Sequence, residues 1–306
     1  MYKQRIRKGY GMTLMLLAAS VVFAGCGAAP TSQSEPAKND AKQTATQNGG
    51  EQAAQPKELA FNPPKLEDAP KGELGESIQL GHKIITETKA TVPNNVGNNL
   101  SCISCHADGG TNKIASPLVG VTAAHPQYRD REGKVITMED RINECFRRSM
   151  NGKPLEAGSK EMTAMISYLT YISTGVPTGA DMPWRGKSKV SLDGITPDKA
   201  NGEKLYQQSC LACHGANGEG TGPATGPAVW GQDSFNDGAG LARISQMTGY
   251  IQKNMPKVEM GGVKPGGLSK QQAADLAAYL LAQERPEFEG KKNDWPKGNK
   301  PKDVKY

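Results

Sequence analysis

With 306 residues the chain is too long for one small domain and suits about two. Only 36% of it is hydrophobic, with 36 glycines, 20 prolines and few aromatics, which excludes a large aromatic core. The formal charge is +6, but Lys3, Arg5, Arg7 and Lys8 contribute four of the positive charges; without residues 1–25, which hold no acid, the balance is +2, and a nucleic-acid partner is excluded.

In chain order, those four basic residues precede an apolar run from Met12 to Phe23, then Ala24, Gly25 and Cys26. This is the order of a secretory signal, and the run is shorter than the roughly 20 apolar residues a transmembrane helix needs. Phe-Ala-Gly-Cys resembles a bacterial lipobox, which implies removal of 1–25 and lipidation of Cys26, with plain secretion as the alternative. Residues 26–58 are rich in Ala, Gln, Thr, Ser, Asn, Lys and Glu and predict a disordered stalk with a coil reach of roughly 30 Å. The expectation is an exported protein, periplasmic or held by lipid on the outer side of the cytoplasmic membrane.

The rest of the chain repeats. Two Cys-x-x-Cys-His motifs stand at Cys102, Cys105, His106 and at Cys210, Cys213, His214. Each follows a helix-like segment that begins Gly-x-Lys-aliphatic, at Gly81 and Gly202. Each precedes a second predicted helix that begins Ser-Lys, at Ser159 and Ser269. The expected fold is all-α: two tandem class I cytochrome c domains, residues 59–190 and 191–285. They are joined through a Gly-, Pro- and Ser-rich seam at 175–197 and followed by an extended tail, 286–306.

The motif chemistry is specific. Two thiols at this spacing can each bond a haem vinyl group while the adjacent histidine reaches the iron, so two covalent c-type haems are expected, and they supply the apolar bulk that the composition lacks. A zinc ribbon would bring its cysteine pairs within about 15 to 20 residues of each other, and a thioredoxin-like motif needs a βαβ pattern that is missing. Six cysteines, less four for haem and Cys26 for lipid, leave Cys145 alone.

Each iron needs a sixth ligand or an open site. Met255, in Asn254-Met255-Pro256, suits the second haem, where a thioether raises the potential; Met247 and Met260 are alternatives. The corresponding place after the first motif holds Cys145, with Met150, His125 or Met138 as alternatives. Thr137-x-x-Asp140 has the form of a capping box and predicts a helix from Met138 to Ser149. On it Arg141, Cys145 and Ser149 share a face at i, i+4 spacing, with Arg148 close by. Upstream, Tyr128-Arg129-Asp130-Arg131 adds guanidinium groups, and the grouping suggests an oxyanion site beside an iron-bound sulfur.

At these residues the chain resembles the dihaem thiosulfate dehydrogenases. The resemblance rests on Asn99-Leu-Ser-Cys-Ile-Ser-Cys-His, His125-Pro-Gln-Tyr-Arg, Arg141-Ile-Asn-Glu-Cys-Phe-Arg-Arg-Ser-Met-Asn-Gly, Trp230-Gly through Ser234-Phe-Asn, Asn254-Met-Pro and Asn293-Asp-Trp-Pro-Lys-Gly. It implies that two thiosulfate ions are joined to tetrathionate, or the reverse, with two electrons passing through the haems to an external cytochrome c or terminal oxidase. It implies that Cys145 is both ligand of the first haem and active-site sulfur, and that Arg131, Arg141 and Ser149 line the substrate pocket. Some members carry lysine where Asn254 stands; here His214 and Met255 are the expected ligands of the second haem. The competing expectations are a non-catalytic dihaem electron carrier, a dihaem peroxidase, and a subunit of a multiprotein sulfur-oxidising system.

Overall fold

The computed structural model describes residues 59–186 and 189–306. The expected signal segment, Cys26 and the stalk lie outside the described residues.

In the first copy, α1 (Glu73–Thr86) and α2 (Thr88–Thr91) lead to the first haem motif, which opens in a 3-10 turn, Cys102–Ser104. An antiparallel hairpin of β1 (Gln127–Arg129) and β2 (Lys134–Ile136) follows, with Tyr128 paired to Val135. Then come α3 (Met138–Glu144), a single π-helical turn (Cys145–Ser149) and α4 (Lys160–Ile172). The second copy holds α5 (Lys199–Ser209), α6 (Leu211–His214) with the second motif, α7 (Ile244–Asn254) and α8 (Lys270–Ala282). Helices dominate as expected; the hairpin is an addition, its turn closed by Gly133 at φ 64°.

In each copy the first helix packs on the last, α1 on α4 and α5 on α8. The glycines that marked the repeat are crossing points and not helix starts, since α1 begins at Glu73 and α5 at Lys199. A Cβ on Gly81 would fall 2.0 Å from the Ala164 carbonyl oxygen, and one on Gly202 would fall 2.0 Å from that of Asp275. Gly81→Ala is therefore expected to push α1 off α4 at a cost of about 1–3 kcal/mol. The check is the guanidinium unfolding midpoint of the haem-loaded protein; an unchanged midpoint would show that the crossing relaxes freely. The Ser-Lys pairs do start the last helices: the Ser159 hydroxyl accepts from Met162 N–H, and Ser269 accepts from Gln272 N–H.

Two hydrophobic clusters form. Ile78, Ile84, Ile85, Phe146, Met162 and Ile172 are each 2% exposed or less in the first, and each such side chain contributes about 1.5–3 kcal/mol by burial. Phe146 thereby anchors the turn that carries Cys145. Leu205, Tyr206, Leu276 and Leu280 build the second cluster, and Leu100, from the first copy, is buried among them. Asn98 also joins the copies, its amide donating to the carbonyls of Ser149 and Ser234, both at 2.9 Å. The seam is partly core: Met182 and Trp184 are buried, and Trp184 Nε1 donates to the Val119 carbonyl at 3.0 Å. Residues 286–306 are irregular apart from one 3-10 turn, Glu289–Asn293. Among the described residues no helix is long and apolar enough to cross a membrane.

Candidate active site

Each haem motif opens onto a mostly apolar cavity. The first encloses ≈ 1230 Å³ of empty space, part of it open to solvent, and is lined by Cys102, Cys105, His106, Arg141, Cys145 and Ser149 among apolar neighbours. The second, of ≈ 680 Å³, is lined by Cys210, His214, Met247 and Met255; Cys213 lies in an adjoining recess that also reaches His214 and Met255. Met138 and Met150 share the first cavity with Cys145, whereas His125 is not on its lining and bonds the Val121 carbonyl through Nδ1. Met260 lies in the recess and not in the second cavity. The Asn254 amide donates to the Tyr250 carbonyl at 2.9 Å and is buried.

These residues fit covalent haem. His106 Nδ1–H donates to the Ser116 carbonyl at 2.5 Å, and His214 Nδ1–H donates to that of Pro227 at 2.8 Å. Both bonds select the tautomer whose Nε2 lone pair is free for iron. Burial pulls the His106 imidazole down to about 4, against the opposing Ser116 bond, so it is neutral at neutral pH. Burial also pushes Cys102 and Cys105 up to about 12 and Cys210 up to about 11. A metal-binding or redox Cys-x-x-Cys has its thiols shifted the other way. Among the described residues no three His, Cys, Asp or Glu side chains come together as a metal site.

On the first cavity the capping box forms as its sequence indicates, with Asp140 N–H donating to Thr137 Oγ1 and Thr137 N–H to Asp140 Oδ2, both at 3.1 Å. The α-helix stops at Glu144, and Met150 N–H reaches the Cys145 carbonyl at 3.0 Å, the i+5 bond of the π-turn. Arg141 Nη1 donates to Cys145 Sγ at 3.1 Å. The neighbouring Cys145 sulfur is the main cause that raises the Arg141 pKa, against burial. Arg131, Arg141, Cys145 and Ser149 all line one recess, so the structure brings the four expected site residues together.

The recess holds more cations than its acids neutralise. Arg129 and Arg185 are shifted down, first by burial and then by neighbouring arginines, Arg141 foremost. Arg131 is shifted down by burial and then by Arg148 and Arg243. Glu132 lies in the same recess, its Oε2 4.0 Å from Arg129 Nε. Guanidinium groups that depress one another would be relieved by an anion, so the arrangement suits an oxyanion.

Arg148, expected only to lie close by, is turned to partners within the protein. Its guanidinium bonds Asp294 through two nitrogens, at 2.7 and 2.8 Å, and also Glu144 and the Gly238 carbonyl, so four of its five N–H donors are committed within the protein. Sequence reasoning missed Arg185 and the second-copy residues Leu241, Gln246 and Tyr250, which close the cavity and recess. None carries a local signal; each reaches the site through packing of distant segments.

Residues 93–178 match the family described as SoxA/TsdA, cytochrome c domain, and residues 199–284 match the cytochrome c family. A thiosulfate dehydrogenase of Psychrobacter arcticus is 39% identical over 274 residues, 88% of this chain and 81% of that protein. The chain belongs to the thiosulfate dehydrogenase family. A member from Allochromatium vinosum is 41% identical over 245 residues, 78% of this chain and 88% of that protein. The solved thiosulfate dehydrogenase (TsdBA) of Marichromatium purpuratum superposes with a TM-score of 0.67 at 37% identity over 74% of this chain, which spans half (50%) of that longer chain. The fold is two tandem cytochrome c domains, and each takes a covalent c-type haem.

Proposed function

We propose that this chain is an oxidoreductase that couples two thiosulfate ions to tetrathionate at Cys145, reversibly, and releases two electrons to an external acceptor such as a cytochrome c or terminal oxidase. The observation that carries the reading is a single cysteine sulfur, bonded by Arg141, on the lining shared by a haem cavity and an arginine-rich recess. A plain electron carrier has no use for that recess, and the relatives from Psychrobacter arcticus and Allochromatium vinosum are named as enzymes.

Arg131 and Arg141 hold sulfonate oxygens, lowering the cost of bringing two dianions together, and Ser149 offers a hydroxyl at the same place. The Cys145 thiolate forms an S–S bond with the outer sulfur of one thiosulfate, losing two electrons and leaving Cys–S–S–SO3⁻. The outer sulfur of a second thiosulfate attacks that sulfur. The new S–S bond gives tetrathionate, the bond to Cys145 breaks, and its electron pair restores the thiolate. No proton is exchanged. When bound, the two haems supply the one-electron acceptors and the outlet. Cys102, Cys105, His106 and Cys145 would hold the first, and Cys210, Cys213, His214 and Met255 the second.

In this reading residues 59–190 are the catalytic domain, 191–285 the electron-transfer domain and 286–306 a tail. The signal segment 1–25 is removed, Cys26 carries lipid, and 26–58 tether the body on the outer side of the cytoplasmic membrane or within the periplasm. Met255→Ala is expected to lower the second haem's potential while leaving it attached, because the thioether raises it. A redox titration with unchanged potential would send the search to Met247, which shares the cavity. The reading itself is tested by adding thiosulfate to the oxidised holoprotein. Haem reduction with stoichiometric tetrathionate supports it; no reduction with two intact haems returns the chain to the electron-carrier reading.

A further inference from the structure

The segment Asn293-Asp294-Trp295-Pro296-Lys297-Gly298 has no place in the chemistry above, yet it meets both halves of the anion site. Asp294, with a side chain 4% exposed, accepts both bonds from Arg148 and a third from the Tyr306 hydroxyl at 2.8 Å. Arg148 follows Cys145 by three residues and precedes Ser149, and it also grips Glu144, the residue before Cys145. Its ring partner is Phe288, 4.4 Å away. The π-turn closes on its own i+5 bond from Met150 N–H, and others of its carbonyls are held by Asn98 and by Asn236, on Ser149, Arg147 and Arg148.

Trp295 grips the other half. Its backbone N–H donates to the Arg131 carbonyl at 2.7 Å, and the Arg131 guanidinium lies 5.8 Å from its ring centre. Trp295 is buried with φ at 53°, a region that a bulky side chain adopts only when its surroundings compel it. Pro296 sits so close to the hairpin turn that a Cβ on Gly133 would lie 2.5 Å from its ring.

We propose that the 288–306 segment is a strap that sets the geometry of the anion site, with Asp294 and Trp295 as positioning residues: Asp294 fixes the Cys145–Ser149 turn through Arg148, and Trp295 fixes the Arg131 loop. This rests on the thiosulfate reading. The strap joins the loop and turn that supply Arg131, Cys145 and Ser149, so loosening it spreads the oxyanion donors without removing any of them.

The test is Asp294→Asn in the haem-loaded chain, with ferricyanide as acceptor. KM for thiosulfate is expected to rise about ten-fold, equivalent to about 1.4 kcal/mol, with kcat changed less. The low-temperature electron paramagnetic resonance signal of the first haem should broaden or split while that of the second stays fixed. Trp295→Ala, which removes the ring beside Arg131 while keeping the main-chain bond, should raise KM in the same direction and leave the first haem's signal alone. Tyr306→Phe, which removes one bond to Asp294, replaces Asp294→Asn should that variant not accumulate, with the same expected signs and smaller size. A lowered unfolding midpoint with KM and the first-haem signal both unchanged would reduce the segment to a brace and overturn the proposal. The resonance signal reads the strap without turnover, so failure of the thiosulfate reading and failure of the strap are told apart.

Discussion

Cys145→Gly is expected to abolish thiosulfate-dependent turnover while both haems remain covalently attached. Attachment depends on Cys102, Cys105, Cys210 and Cys213, none of which the substitution touches, and on two cavities whose apolar walls stay in place. In the proposed mechanism what disappears is the sulfur that carries thiosulfate between the two bond-forming steps, so the loss should exceed that from any single binding residue. Glycine within the α3–π-turn segment costs about 1 kcal/mol of helix propensity, which the buried Phe146 beside it can absorb. The check pairs steady-state ferricyanide reduction with a haem stain of the denatured protein. Full activity in the variant would rule the mechanism out; loss of haem along with activity would mean that Cys145 is needed to build the cavity.

Arg141→Gln is expected to lower kcat/KM by about 10²- to 10³-fold, the usual effect of removing one preorganised donor from a developing anion. The side chain contacts Cys145 Sγ directly and is raised in pKa chiefly by that neighbouring sulfur, so in the proposed mechanism it serves the sulfur as well as the substrate. Glutamine keeps a hydrogen-bond donor and much of the volume but no charge, so the change isolates the electrostatic part. Arg131 differs in that its backbone carbonyl is held by Trp295 and its Nη1 meets the Gly238 carbonyl at 3.4 Å. Sulfate inhibition of the wild type and the variant provides the second reading: the inhibition constant should rise with KM in the variant. An unchanged KM and inhibition constant would place the anion elsewhere in the recess.

Features made by residues close together along the chain are legible in the sequence itself. The two haem motifs, the Thr137–Asp140 capping box and the Ser159 and Ser269 starts depend on bonds that span three or four residues, and their spacing states them directly. Arg141, Cys145 and Ser149 fall on one side of a helix for the same reason, and a change from α to π at Cys145 leaves them on one lining. The two glycines of the repeat stand out as a pattern, but the pattern alone suggests helix starts, whereas what selects them is a helix crossing on the far side of the motif.

Sequence by itself therefore determined the cofactor chemistry, the duplicated helical architecture and the placing of Cys145 beside Arg141, because short spacing fixes which groups can meet. Only the tertiary structure decided which charges are left for an anion. It paired Arg148 with Glu144 and with Asp294 from the tail, and it brought in the charge of Arg185 from the seam and the neutral side chains of Gln246 and Tyr250 from the second copy. A buried guanidinium must be matched by carboxylates or carbonyls. Whether it finds them depends on segments far along the chain, which no local pattern reports.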